Sequence, residues 1–131
     1  GSDAESKKIK SERNEPENPA FYTDNGSSIK TIGRSTDNDL VIDKDPKVAF
    51  KIARFAFEDE NWALTIKYLK TAKEFGWNET EGRIELLMGI SLYELSRYSE
   101  SLKYLKEAQN FDDTQTAAEG WFKYVEEINK A

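Results

Sequence analysis

The chain of 131 residues contains no cysteine and no histidine. Together these absences remove disulfide frameworks, thiolate-held metals, the usual zinc sites and nucleophilic centres built on Cys-His or Ser-His pairs. Only carboxylate chemistry is left. An excess of positive charge is also missing: 19 Lys and Arg face 25 Asp and Glu, for a net charge of −6. Residues 1–45 and 46–131 each carry −3 of it. Such an even spread argues against binding dominated by nucleic-acid phosphates or an acidic membrane surface, both of which call for a basic stripe. No stretch approaches the roughly 20 consecutive apolar residues of a membrane-spanning helix. Three prolines and one methionine complete the list of what is scarce.

What the chain does have is a recurring helical pattern. Apolar and small residues at Ala49, Ile52, Ala53 and Ala56 return as Met88, Gly89 and Leu92, and again as Trp121, Tyr124, Val125 and Ile128. A spacing of 36 residues separates Ile52 from Met88, and Met88 from Tyr124. A fixed period of a few tens of residues marks helical units that cannot bury their apolar faces alone and must stack. The expected fold class is therefore all-α, an array of helical hairpins.

Composition sets the first boundary. Residues 1–20 are rich in Lys, Glu, Ser, Asn and Pro and carry almost no apolar side chains, a mixture that cannot offset its ordering entropy, so the reading is a disordered tail. Its first two residues, Gly1-Ser2, read as a cloning scar ahead of the native sequence. Residues 21–45 form an irregular arm with turn pairs Asn25-Gly26 and Asp37-Asn38 and scattered anchors Phe21, Tyr22, Ile29, Ile32, Leu40, Val41 and Ile42. Asp45-Pro46 supplies an N-cap and a first-turn proline for a helix reaching about Asp59. A second helix follows from Trp62 through Ile66, Leu69 and Ala72 to Gly76. Asn78 and Glu81 read as a capping box for a third helix ending near Leu95, and Tyr98 to Ala108 as a fourth helix closed by Asp112-Asp113. Thr116 and Glu119 read as a second capping box, for a last helix with Trp121, Tyr124, Val125 and Ile128 facing inward.

Residues 82–115 resemble the tetratricopeptide repeat (TPR), through Met88-Gly89, Leu92, Tyr98 and Ala108, with Ser101 and Leu105 at its earlier alanine and aromatic positions. Glu85 stands where that family has its initial Trp, and Asp113 where it has Pro. Residues 46–79 follow the same register more loosely, with Ile52-Ala53, Ala56, Trp62, Leu69 and Ala72, while Thr65 replaces the usual alanine. Residues 116–131 match an unpaired first helix with Trp121 at the Trp position, as a capping helix. A second, shorter resemblance joins Leu87-Met88-Gly89-Ile90-Ser91-Leu92, Arg97-Tyr98 and Ala117 through Glu126 to repeat proteins that accompany TonB-ExbB-ExbD systems. It implies a bacterial, periplasm-facing setting; without it a cytoplasmic one is the default.

The repeat resemblance turns the first helix of each unit toward a concave groove. In register, that places Phe50, Arg54 and Phe57, then Leu86, Ile90 and Tyr93, then Phe122 on the groove surface. An open strip of this kind would be a large apolar patch of the sort that marks partner sites. The arm anchors upstream could instead cover it, from the same or a neighbouring copy. Lys and Asn positions that grip a peptide carboxylate in some repeat proteins are here Phe50 and Leu87, so that clamp is not expected. Ile32 to Ile42 looks like the opening of a forkhead-associated domain, but no Ser-x-x-His element follows. Clustered carboxylates at Glu58-Asp59-Glu60, Asp112-Asp113 and Asp37 to Asp45 read as solvated turn residues.

The expected function is that of a protein-binding scaffold or adaptor with a protein or peptide partner in the groove, with self-association through groove or arm as an accompanying option. No residue set is assigned to catalysis, to a metal or to a cofactor. The alternative is a carboxylate-based enzyme or small-ligand-binding domain, which would need an enclosed polar pocket.

Overall fold

A computed structural model describes residues 15–19, 44–77 and 82–130. Among them are five α-helices and no strand: α1 Pro46–Glu58, α2 Trp62–Glu74, α3 Arg83–Glu94, α4 Tyr98–Ala108 and α5 Gln115–Lys130. The anchors of the arm at Phe21, Tyr22, Ile29, Ile32, Leu40, Val41 and Ile42 lie outside the described residues, as do Gly1-Ser2 and the Asn78 to Glu81 box.

Each helix begins and ends for a local reason. Asp45 caps α1 by accepting the Lys47 N–H at 2.8 Å, and Pro46 occupies the first turn. Asn61 caps α2 through the Leu64 N–H at 3.3 Å. The C-termini of α1, α2 and α3 share one device. A residue with positive φ follows the cap, Glu60 (60°), Gly76 (92°) and Ser96 (62°). Its N–H and that of the next residue fold back onto the last turn, Asn61 N–H to the Ala56 carbonyl at 2.8 Å, Trp77 to Ala72 at 3.0 Å and Arg97 to Leu92 at 2.9 Å. These are Schellman closures, and only one of the three uses glycine.

Two helix starts differ from the capping boxes read in the sequence. Helix α3 opens at Arg83 with Gly82 as its N-cap residue and no side-chain cap. Gly82 is required there by space: a Cβ would overlap the Thr114 hydroxyl and the Phe111 ring, and its N–H donates to Asp113 Oδ1 at 3.2 Å. Helix α5 opens at Gln115, so Thr116 lies inside its first turn and is exposed. The residue ahead of the helix is Thr114, whose hydroxyl donates to the Ala108 carbonyl at 2.7 Å and ties the end of α4 to the start of α5. Both sequence boxes fit a local pattern; long-range packing at the 109–114 turn sets the actual starts.

Three-residue connections fold α2 back on α1 and α4 back on α3, and these pairs make the most extensive helix contacts. Helix α2 also packs on α3, and α5 on α4, with α1 and α5 both touching α3. Helix α3 thus sits at the centre and is buried on every side from Ile84 to Tyr93, as a helix with apolar residues all round must be. Its fit against α4 depends on one glycine. A Cβ at Gly89 would stand 2.6 Å from the Leu105 side chain, and the Gly89 carbonyl accepts the Ser101 hydroxyl at 2.6 Å. In the same manner buried Thr65 donates to the Asn61 carbonyl at 2.8 Å. Both small polar residues meet their hydrogen-bonding need on the backbone. Between the hairpins Glu85, only 4% exposed, holds Lys73 Nζ at 2.9 Å. Burial alone would lower the Lys73 pKa, but the Glu85 hydrogen bond and charge carry it above its usual value.

Candidate functional site

Helices α1 and α3 bring their groove-register residues into the interior. Phe50, Arg54, Phe57, Leu86, Ile90 and Tyr93 are each at most 5% exposed, and Phe122 on α5 is half-buried. The strip is therefore not an open apolar surface. Leu95 is the one exposed large hydrophobic residue among those described.

Eight of the aromatic residues meet in three groups. At the α1–α2 turn, Phe57 meets Trp62 edge-on with ring centroids 5.2 Å apart. Near the start of α3, Phe50 stacks on Trp77 at 4.8 Å, and the Arg83 guanidinium lies over both rings at 5.1 and 5.9 Å. Cation–π attraction of this kind strengthens when water is displaced. Trp77, a loop residue that could have been an exposed rim contact, is instead a half-buried clasp between α1 and α3.

The third group joins α3, α4 and α5. The Tyr93 ring packs against Tyr98 at 6.1 Å, Trp121 at 5.6 Å and Tyr124 at 5.5 Å. Its hydroxyl donates to Glu15 Oε2 at 2.9 Å and lies 3.0 Å from the Tyr124 hydroxyl. With its single proton directed at Glu15, Tyr93 is left to accept from Tyr124. Burial first, then the hydrogen bonds to Tyr124 and Glu15, push the Tyr93 pKa well above the usual phenol value, so the hydroxyl stays a donor. Next to it, fully buried Trp121 donates from Nε1 to the Glu17 carbonyl at 3.3 Å.

Glu15–Pro19, placed by composition in the disordered tail, is thus hydrogen-bonded onto α3 and α5, in no regular secondary structure. Pro16 and Pro19 bias Glu15 and Asn18 toward extended backbone. That proline spacing was the available signal that this stretch is not helical. Helical phase points Trp121 and Tyr124 inward, and Trp121 is fully buried while Tyr124 is half-buried; what phase does not reveal is that the Tyr124 hydroxyl meets Tyr93 and the Trp121 indole meets Glu17.

A separate open cleft of about 280 Å³ is lined by Glu85, Glu107, Asn110 and Phe111. It brings two carboxylates toward one cation, since Lys73 binds Glu85 and feels the Glu107 charge. Among the described residues no three Asp or Glu side chains gather as a metal site, and no helix is long and apolar enough to cross a membrane. No protein-family model matches the chain, and neither a curated protein nor a solved structure matches it.

Proposed function

We propose that this chain is a protein–protein interaction adaptor of the tetratricopeptide type, with repeats over 46–79 and 82–115 and a capping helix over 116–131. It holds an extended segment of a partner on the inner faces of α3 and α5. The observation that carries this reading is the seating of Glu15–Pro19: a stretch of chain without regular secondary structure, held by side-chain donors from two helices. Peptide capture by helical arrays uses this arrangement, in which rigid helices present donors and aromatic walls to a backbone without secondary structure. The close approach at Gly89 and Leu105 supports the repeat assignment, because the resemblance rests on small residues at that crossing. The C-terminal resemblance adds a setting, a bacterial envelope assembly of the TonB type facing the periplasm.

Site-specific photo-crosslinking tests the reading. A benzophenone side chain at Phe122, on α5, should yield covalent adducts with a defined protein, and the same group at exposed Lys103 on α4 should not. Equal labelling at both positions, or none at either, would count against an adaptor. For the alternative, a carboxylate enzyme or small-ligand-binding domain, the Glu85–Glu107 cleft is the place to look. Glu107→Gln would then abolish turnover or ligand binding and leave crosslinking from Phe122 untouched.

A further inference from the structure

We propose that Tyr93, Trp121 and Tyr124 form a reading site for an extended acidic peptide with the pattern carboxylate, proline, main-chain carbonyl, and that Glu15-Pro16-Glu17 of the same chain is its resident occupant. The proposal deepens the adaptor reading and rests on it. Partners are then proteins whose segment repeats this chemistry and displaces the chain's own.

Three features of the site select such a ligand. Tyr93 offers a donor to a carboxylate, at 2.9 Å from Glu15, and its remaining acceptor capacity is used by Tyr124 at 3.0 Å. A hydroxyl polarised by a second hydroxyl is a stronger donor, and a charged acceptor makes the stronger bond. Indole N–H is donor only, so Trp121 reads a carbonyl and rejects any donor at that place. The two readings fall on residues 15 and 17, one side chain and one carbonyl, of a segment in no regular secondary structure. Pro16 lies between them. It fixes its own φ and holds Glu15 out of the helical region, which lowers the ordering cost of docking.

The site also demands an occupant. Trp121 is fully buried and Tyr93 nearly so, and a buried donor left unmade is costly. Release of Glu15–Pro19 therefore has to be followed by an equivalent ligand or by water. The seated segment, by contrast, is held lightly: Glu17 and Asn18 are exposed, and Glu15, Pro16 and Pro19 are only half-covered. Cis attachment compensates for the small contact by raising the local concentration of the segment above that of a free peptide. An occupant that binds weakly but is always nearby acts as a filter that a partner in solution must outcompete.

The test uses the full chain with Glu15–Pro19 replaced by Gly-Ser-Gly-Ser-Gly, and a fluorescein-labelled peptide spanning residues 12–20, followed by anisotropy. The replaced chain is expected to bind the peptide at least 10-fold more tightly than the unaltered chain. A Glu15→Gln peptide, and separately Tyr93→Phe in the replaced chain, should each weaken binding 5-fold or more with unchanged helical circular dichroism. Light scattering should give a monomer for the unaltered chain; a dimer that dissolves on replacement would place the segment in trans and overturn the cis assignment. Equal binding by both chains, no binding by the replaced chain, or indifference to both substitutions would also overturn the proposal. If the peptide fails while Phe122 still crosslinks to a protein, only this inference falls; if both fail, the adaptor reading falls with it.

Discussion

Gly89 shows how much one residue decides at the centre of the molecule. Its hydrogen occupies the place where Leu105 comes against α3, so Gly89→Ala must move that side chain or the α3–α4 crossing. Overpacking of a tight contact costs about 1–3 kcal/mol, which urea unfolding would register as a lower midpoint at unchanged slope. Ser91 presents the opposite case. It is fully buried with its hydroxyl unsatisfied, and an unmade buried hydrogen bond is a penalty. Ser91→Ala is therefore expected to leave stability unchanged or raise it by up to about 1 kcal/mol in the same measurement. The two positions are two residues apart on one helix and respond with opposite sign, because one faces a neighbour at contact distance and the other carries a polar atom with no partner.

At the scale of elements, helix ends carry the instructive detail. Glu60 and Ser96 adopt positive φ to close α1 and α3, where residues with a Cβ are strained. Glu60→Gly and Ser96→Gly should each raise the thermal midpoint, by an amount worth about 0.5–1 kcal/mol, strain relief exceeding the entropy that glycine loses on folding. At the other end of α1, Asp45→Ala removes the cap on the Lys47 N–H and is expected to cost about 1 kcal/mol. The Asp45-Pro46 start was legible because cap and proline act within one turn. The starts of α3 and α5 were not, because they answer to the 109–114 turn, where Gly82, Asp113 and Thr114 meet from distant parts of the chain.

For the molecule as a whole, the Tyr93 cluster couples the N-terminal segment to the helices through a group that must stay protonated. The raised Tyr93 pKa means that the folded state favours the neutral phenol. Its contribution to stability is complete below the ordinary phenol value of 10.0 and is lost as pH rises beyond it. Stability should fall on the alkaline side of that value, and Tyr93→Phe should flatten this limb of a denaturation-against-pH profile while leaving neutral helicity intact.

Sequence by itself determined the helical class, the five helical segments and the inward phase of Trp121 and Val125, with Tyr124 and Ile128 half-buried beside them, because apolar periodicity and local caps act over a few residues. Tertiary structure alone decided what Phe50, Leu86, Ile90 and Tyr93 face. Helical phase states which residues share a side of a helix; it does not state whether that side meets water or further chain, and here α1 and α3 are buried nearly all round. It also decided that Glu15 and Glu17, 78 and 104 residues away from their partners along the chain, lie against Tyr93 and Trp121. Hydrogen bonds of that reach depend on how the helices stack, which no window of sequence contains.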